Sequence, residues 1–321
     1  MALRVTFWGT RGSIPVSLDC ASLRDKLASA VVAASGEGLD TPEKARAWVD
    51  SKLDFAVSHT FGGNSACVQL EAGDGEYVVC DLGSGVRAFG SQVFTRDGPS
   101  KKNSFHVFLS HVHWDHIMGF PFFGPAYVAG NRIRIYGCHT EIEEALRRQQ
   151  DPPSFPVPFD SLAASIEFVT LEPGRSYEVA GWRVTGRLQN HSGDSYGYRF
   201  VRDGKVIVYS TDSEHRLDIP DEVEGAATFF ADADLVIFDA MYSLAEAVSV
   251  KEDWGHSSNV VAVELCQLAG AKHLVLFHHE PANNDERIAK IWRETLRYEE
   301  ISRSGRALRV SAAYDGMEIE L

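Results

Sequence analysis

The chain has 321 residues, 44% of them hydrophobic and 24% charged, which excludes a disordered chain and suits a globular enzyme. Its formal net charge of −14 works against broad adhesion to nucleic acid or to an anionic membrane, because phosphate binding calls for a basic surface. A small phosphate substrate stays open, since bound cations supply positive charge locally.

The opening stretch Met1-Ala2-Leu3-Arg4-Val5-Thr6-Phe7-Trp8 reads as a strand, without the basic segment, apolar run and small-residue cleavage site of a signal peptide. Residues 17–58 then read as an inserted helical hairpin, after which the turn-rich sequence resumes at His59. Its first helix is expected over 20–34. The second opens at Thr41-Pro42-Glu43, with Thr as N-cap and Pro in the first helical position. Short apolar runs rich in Val, Ile, Phe and Tyr mark strands at 68–70, 77–80, 106–109 and 133–136. A helix follows over 141–149, and Pro152-Pro153-Ser154-Phe155-Pro156-Val157-Pro158 reads as an extended, polyproline-like surface loop. Strands at 206–209, 235–238 and 274–277 alternate with helices at 258–269 and 285–298. In the first of these helices Ala262, Leu265, Cys266 and Ala269 share one face behind a serine cap. Short strands with intervening helices predict an α/β sandwich. Neither interruption needs a core of its own, so one domain over 1–321 is expected. No run approaches the roughly 18 apolar residues of a membrane span. Cys20, Cys67, Cys80, Cys138 and Cys266 are scattered, odd in number and without CxxC spacing, which points to reduced thiols and a cytoplasmic setting.

The chemistry is concentrated in Phe108-Leu109-Ser110-His111-Val112-His113-Trp114-Asp115-His116, where an apolar strand runs straight into three histidines and a carboxylate. Imidazole and carboxylate are the donors that zinc and similar divalent ions prefer. A turn just past the strand aims His111 and His113 at one ion while Asp115 and His116 face another.

This HxHxDH pattern resembles the metallo-β-lactamase superfamily, and more narrowly its branch of tRNA-3′-processing endonucleases and related phosphodiesterases. Phe7-Trp8-Gly9-Thr10-Arg11-Gly12-Ser13-Ile14-Pro15, Gly62-Gly63-Asn64-Ser65-Ala66-Cys67 and Asp81-Leu82-Gly83-Ser84-Gly85 are similar to that branch's opening turns, in the same order around the motif. The resemblance implies an αββα sandwich of two mixed sheets flanked by helices, holding two divalent metal ions, Zn2+ first, with Mn2+ or Fe2+ compatible. It implies further ligands downstream: His191 as a third histidine on the first ion, Asp212 bridging both, and a histidine directly after the strand at 274–277. The chain offers two there, His278 and His279. His278 matches the family's spacing, and adjacent side chains on an extended segment point to opposite sides. Trp254-Gly255-His256-Ser257-Ser258 resembles the branch's proton-transfer motif, and imidazole suits general acid work near neutral pH. Asp115, Asp212 and His256 are thus the expected catalytic residues, acting through a metal-bridged hydroxide on a phosphodiester.

Substrate contacts are expected from Asn64, His215 and Phe123. Glu214 and His215 also read as ligand-orienting neighbours or a plain surface turn, and Asp239 is equally open. The run Phe120–Tyr127 reads either as core or as a stacking wall for a flat group. Net acidity and the lack of a glycine-rich RNA-gripping arm favour a small phosphodiester such as a cyclic nucleotide over tRNA. Lactone, thioester or β-lactam hydrolysis on the same scaffold is the alternative, and a metal-binding protein without turnover a more distant one. The insertion at 17–58 departs from the simplest family pattern and reads as a pocket lid or as the interface of a homodimer, which the resemblance also suggests.

Overall fold

The short apolar runs pair into two seven-stranded mixed sheets in a computed structural model that describes residues 3–243 and 254–321. Met1 and Ala2, at the head of the expected first strand, lie outside the described residues. In chain order the strands are β1 (Arg4–Gly9), β2 (Cys67–Glu71), β3 (Tyr77–Cys80), β4 (Ser104–Phe108), β5 (Arg132–Gly137), β6 (Ser165–Thr170), β7 (Ser176–Val179), β8 (Trp182–Gln189), β9 (Ser195–Arg202), β10 (Lys205–Ser210), β11 (Leu235–Asp239), β12 (His273–Phe277), β13 (Arg309–Ala312) and β14 (Glu318–Glu320). The first sheet runs β14-β1-β2-β3-β4-β5-β6 and the second β13-β12-β11-β10-β9-β8-β7. Strands β3 to β6 are mutually parallel, as are β10 to β13. The remaining neighbours are antiparallel.

Helices α1 (Cys20–Ala33), α2 (Pro42–Lys52) and α3 (Phe55–Ser58) fill the insertion between β1 and β2. Beyond it come α4 (Val86–Asp97), α5 (Trp114–Ile117), α6 (Ile142–Arg148), α7 (Pro220–Phe230), α8 (Asn259–Leu268) and α9 (Asp285–Ser302). Three apolar layers follow from this order. Val5, Phe7, Val68 and Phe108 meet Trp182, Phe200, Ile207 and Phe277 between the sheets. Outside the first sheet Tyr77, Phe105 and Val107 pack on Val86, Phe89 and Leu146. Outside the second, Val208, Val236 and Leu274 pack on Phe230, Ala262 and Cys266. The result is helix, sheet, sheet, helix, the αββα arrangement.

Two helices carry little local signal. α4 follows Gly85 and α7 follows Ile219, neither with a side-chain cap of the kind Thr41 gives α2 or Ser258 gives α8, although Pro220 and the acids Asp221 and Glu222 mark the first turn of α7. The proline-rich stretch is folded back as turns over residues 152–154 rather than drawn out as a polyproline segment. A hydrogen bond from Ser154 N to the Asp151 carbonyl closes the turn.

Candidate metal centre

All the chemistry-bearing residues leave the strands at the same edge of the sandwich, where ligands gather in α/β sheets. Asp81 follows β3, the HxHxDH motif follows β4, His191 follows β8, Asp212 follows β10, Asp239 ends β11 and His278 follows β12. Several of these turns are sharp. Ser13, Asp81, Asp212 and His278 all have positive φ, at 55°, 61°, 41° and 59°, a conformation that disfavours side-chain-bearing residues by about 1 kcal/mol or more each. Such strain persists only where the surroundings over-determine it.

The side chains converge as two groups. His111, His113, His191 and Asp212 form one, and Asp115, His116, Asp212 and His278 the other, with the donor atoms of each group within 4.8 Å of one another. Asp212 belongs to both. Its Oδ2 lies 3.7 Å from His111 Nε2 and 3.7 Å from His191 Nε2, while its Oδ1 lies 3.1 Å from His116 Nε2 and 3.2 Å from His278 Nε2. Asp115 Oδ2 stands 3.2 Å from both His116 Nε2 and His278 Nε2.

Around these groups hydrogen bonds orient several of the side chains. Asp81, fully buried, accepts a hydrogen bond from His116 Nδ1 at 2.7 Å, and others from Ser110 N, Ser110 Oγ and the Tyr209 hydroxyl. His191 donates from Nδ1 to the Gly255 carbonyl at 2.8 Å, which turns Nε2 toward His113 Nδ1, 3.2 Å away. Ser13 N donates to Asp115 Oδ2 at 2.7 Å. Two glycines are required by close approach: a Cβ on Gly12 would meet His278 Cε1 at 2.5 Å, and one on Gly255, which also has φ 80°, would meet His191 Nδ1 at 2.4 Å.

The residues fit divalent cations. His111 Nε2 and His116 Nε2 are buried without a hydrogen-bond partner, and both belong to the ligand groups. Burial holds His111, His113 and His191 below the usual imidazole range, helped at His111 by neighbouring His116, so their lone pairs are available at neutral pH. Burial opposes a charge on His116, but Asp212, Asp115 and Asp81 outweigh it and lift that ring well above its usual range. Burial would likewise raise Asp115 and Asp212, yet the facing imidazoles, His116 foremost, hold both below the carboxylate range. Several carboxylates gathered around buried nitrogen donors make a negative pocket that metal ions would neutralise.

One further pair stands beside both groups. The His256 ring lies 5.0 Å from that of His191 and 5.1 Å from that of His278, and its Nδ1 is 2.8 Å from Asp239 Oδ2. Burial pulls this imidazole's pKa down, but the Asp239 carboxylate prevails and brings it up to about 9. The adjacent His279 turns the other way: its Nε2 bonds the Ala313 carbonyl at 2.9 Å, and burial, with Arg11 nearby, pushes it down to about 3.

The profile of the beta-lactamase superfamily domain matches residues 78–279, more than half of the chain. The chain belongs to this superfamily. Among similar proteins is ribonuclease Z of Crocosphaera subtropica, 24% identical over 221 residues, which span 54% of this chain and 69% of that protein. Among solved structures, the metallo-beta-lactamase fold protein YhfI of Bacillus subtilis superposes over 100% of both chains with TM-score 0.64 at 18% identity. A diphosphatase of the PhnP family covers 99% of this chain and 98% of its own, with TM-score 0.60 at 19% identity.

Of the three expected substrate contacts the structure corrects Phe123, and it places Asn64 and His215 half-buried in hydrogen-bonded surroundings. Phe123 is fully buried between Phe89 and Phe105, with ring centroids 5.8 and 5.1 Å away, so it is core and not a pocket wall. Asn64 has both ends of its amide committed, Nδ2 to Asp315 and Oδ1 to Ser84, and ties the start of β2 to the C-terminal segment. His215 stacks on Phe238 at 5.3 Å and bonds Ser213 Oγ, with burial pushing it down to about 4. Sequence reasoning gave Asp81 no role and overlooked Tyr209. The signal for Asp81 was a carboxylate at a strand end, the same placement that marked Asp212.

Proposed function

We propose that this member of the superfamily, a metal-dependent hydrolase, cleaves a small phosphodiester such as a cyclic nucleotide. The observation that carries the reading is that Asp212 offers its two oxygens to two separate ligand groups while the His256–Asp239 pair stands beside both. His111, His113, His191 and Asp212 would hold one divalent ion, and Asp115, His116, Asp212 and His278 the other, zinc being the first expectation. Two such ions supply charge neutralisation at a phosphoryl group and a water acidified enough to attack at neutral pH. His256 keeps Nδ1 on Asp239 and presents Nε2 as the proton source for the departing oxygen. Asp81 fixes the His116 tautomer, and Ser13 N holds Asp115 in place. A ribonuclease and a diphosphatase among the similar proteins support chemistry at phosphorus.

The ribonuclease Z relatives favour RNA as a second reading, and the net charge of −14 weighs against it. The test is hydrolysis of bis(p-nitrophenyl) phosphate, a panel of cyclic nucleotides and a precursor tRNA, beside a lactone and nitrocefin. Metal-loaded wild type is compared with Asp212→Ala and His256→Ala. Turnover of the small phosphodiesters that collapses in Asp212→Ala is the expected result. Cleavage of the lactone or β-lactam alone would remove the phosphodiesterase assignment, and cleavage of the tRNA alone would replace the small substrate with RNA.

A further inference from the structure

The candidate metal centre is flanked by tryptophan where solvent reaches it. His111, Asp115, His116, Asp212 and His278 are buried, whereas His113 is not, so the centre opens on the His113 side. The His191 ring lies 5.0 Å from that of His113. Trp114 directly follows His113 and begins α5. Trp254 directly precedes Gly255, whose carbonyl accepts from His191 Nδ1 at 2.8 Å. The chain has six tryptophans. Trp182 is buried and Trp8, Trp48 and Trp292 are half-buried, while Trp114 is 78% exposed and Trp254 is 58% exposed. The two that stand in water are therefore the two beside this opening. Apolar side chains scattered singly over a surface need no explanation, but the largest of them placed twice at one mouth does. Ile14, next to the Ser13 N–H that holds Asp115, adds a third apolar side chain at 57% exposure.

We propose that Trp114 and Trp254 form a stacking subsite for the nucleobase of a small nucleotide whose phosphoryl group sits at the metal centre. The inference deepens the phosphodiesterase reading and takes from it the anionic end of the ligand. An indole offers a broad, flat, uncharged face, and bases stack on such faces with little regard to their identity, because every base has a π-face. Stacking of this kind reads ring area more than base edges, so purines are expected ahead of pyrimidines. The division of labour is simple: the charged end of the ligand goes to the buried donors, and the flat end stays at the rim.

The experiment has a binding arm and a kinetic arm, both on the full-length, metal-loaded protein. Calorimetry compares AMP with ribose phosphate, and kinetics compare cyclic AMP with a cyclic ribose phosphate that lacks the base. Wild type is expected to bind AMP on the order of 10-fold more tightly than ribose phosphate, the size of one base–aromatic stack. Trp114→Ala should erase that gap and Trp114→Phe should restore most of it, with Trp254→Ala acting in the same direction. On cyclic AMP the same substitutions should raise KM by about the same factor, with kcat moving far less. Equal affinity of wild type for AMP and ribose phosphate overturns the proposal. So does a loss in Trp114→Ala of the same size with and without the base, which would mean that the indole props His113. Phosphocholine bound in preference to AMP would make the pair a cation cage and also overturn it. A loss confined to precursor tRNA, with AMP binding unchanged, would set the indoles against an RNA strand instead. Because binding is read without turnover, the two inferences separate. Base-selective binding by a protein that cleaves no phosphodiester keeps the subsite and removes the phosphodiesterase reading, whereas turnover of cyclic AMP that ignores both substitutions does the reverse.

Discussion

The strand-end loops and the inserted helices use the same chain in opposite ways. In the loops, Asp212 and His278 sit at positive φ, and His116, Asp115 and His191 are fixed by hydrogen bonds with Asp81, Ser13 and Gly255. In the insertion, neither α1 nor α2 contains a buried residue, and one lysine makes the tie between α1 and the body. The contrast teaches that the site is built where the fold has least freedom, while the added segment is free to meet something outside. A change in the loops should therefore register in metal content and turnover, and a change in the insertion should not.

The hardest test of that contrast is Asp212→Ala. Losing the carboxylate common to both groups should drop metal content below two ions per chain and lower kcat on the order of 10³-fold or more. Elemental analysis beside kinetics checks it. Retention of two ions with near-normal turnover would mean the shared carboxylate is not the hub of the site. Next in size is His256→Ala, with a loss of roughly 10²- to 10³-fold for a substrate with an alkoxide leaving group. p-Nitrophenolate needs little protonation, so bis(p-nitrophenyl) phosphate should suffer far less. Equal losses on both substrates would show that His256 does not deliver the proton.

Asp81→Asn removes the acceptor for His116 Nδ1 and for Tyr209 without changing size. Metal affinity should fall about 10- to 100-fold, the usual effect of losing a partner that orients a ligand. Competition with a chelator measures it. That Asp81 needed the structure to be noticed is instructive. His111, His113, Asp115 and His116 are legible because the ligands crowd into six positions, and Thr41 and Ser258 are legible because capping is local. Asp81 acts across the sheet on a ring 35 residues away, a relation that no spacing rule contains. The same holds for Phe123, Asn64 and His215. Their side chains suit a pocket, but only tertiary packing decides whether an aromatic or an amide faces solvent or core. Strands such as β9 and β10 lie between these extremes, since the two-residue turn Asp203-Gly204, with φ 51° and 74°, is a hairpin signal readable in the sequence.

Acid should loosen the sandwich far from the candidate metal centre. His273 begins β12, at the end of the strand away from the site, bonded to Ser311 Oγ at 2.9 Å, and burial, with Arg309 adding to it, pushes it down to about 4. A folded-state pKa below the unfolded value of about 6.5 means that the native state takes up this proton less readily than the unfolded chain. The stabilisation is therefore complete above about pH 6.5 and is lost as pH falls toward 4, by on the order of 2 kcal/mol. Urea unfolding across that window should show the slope in wild type and a shallower one in His273→Gln. An unchanged slope would assign the acid sensitivity to other groups.

The smallest effect is expected in the insertion. Thr41 caps α2 through its hydroxyl, with Lys44 N 3.3 Å away, and Pro42 occupies the first helical turn. Thr41→Ala removes the cap and should weaken the helix locally by about 1 kcal/mol. Because α2 buries no residue, that loss has little to propagate through, and global unfolding should barely shift. Amide exchange over Pro42–Lys52 should quicken while the strands that carry the ligands keep their protection. If the global midpoint instead fell by several degrees, the insertion would be a cooperative part of the sandwich, and the division between a rigid site and a free appendage would have to be redrawn with α2 on the inside.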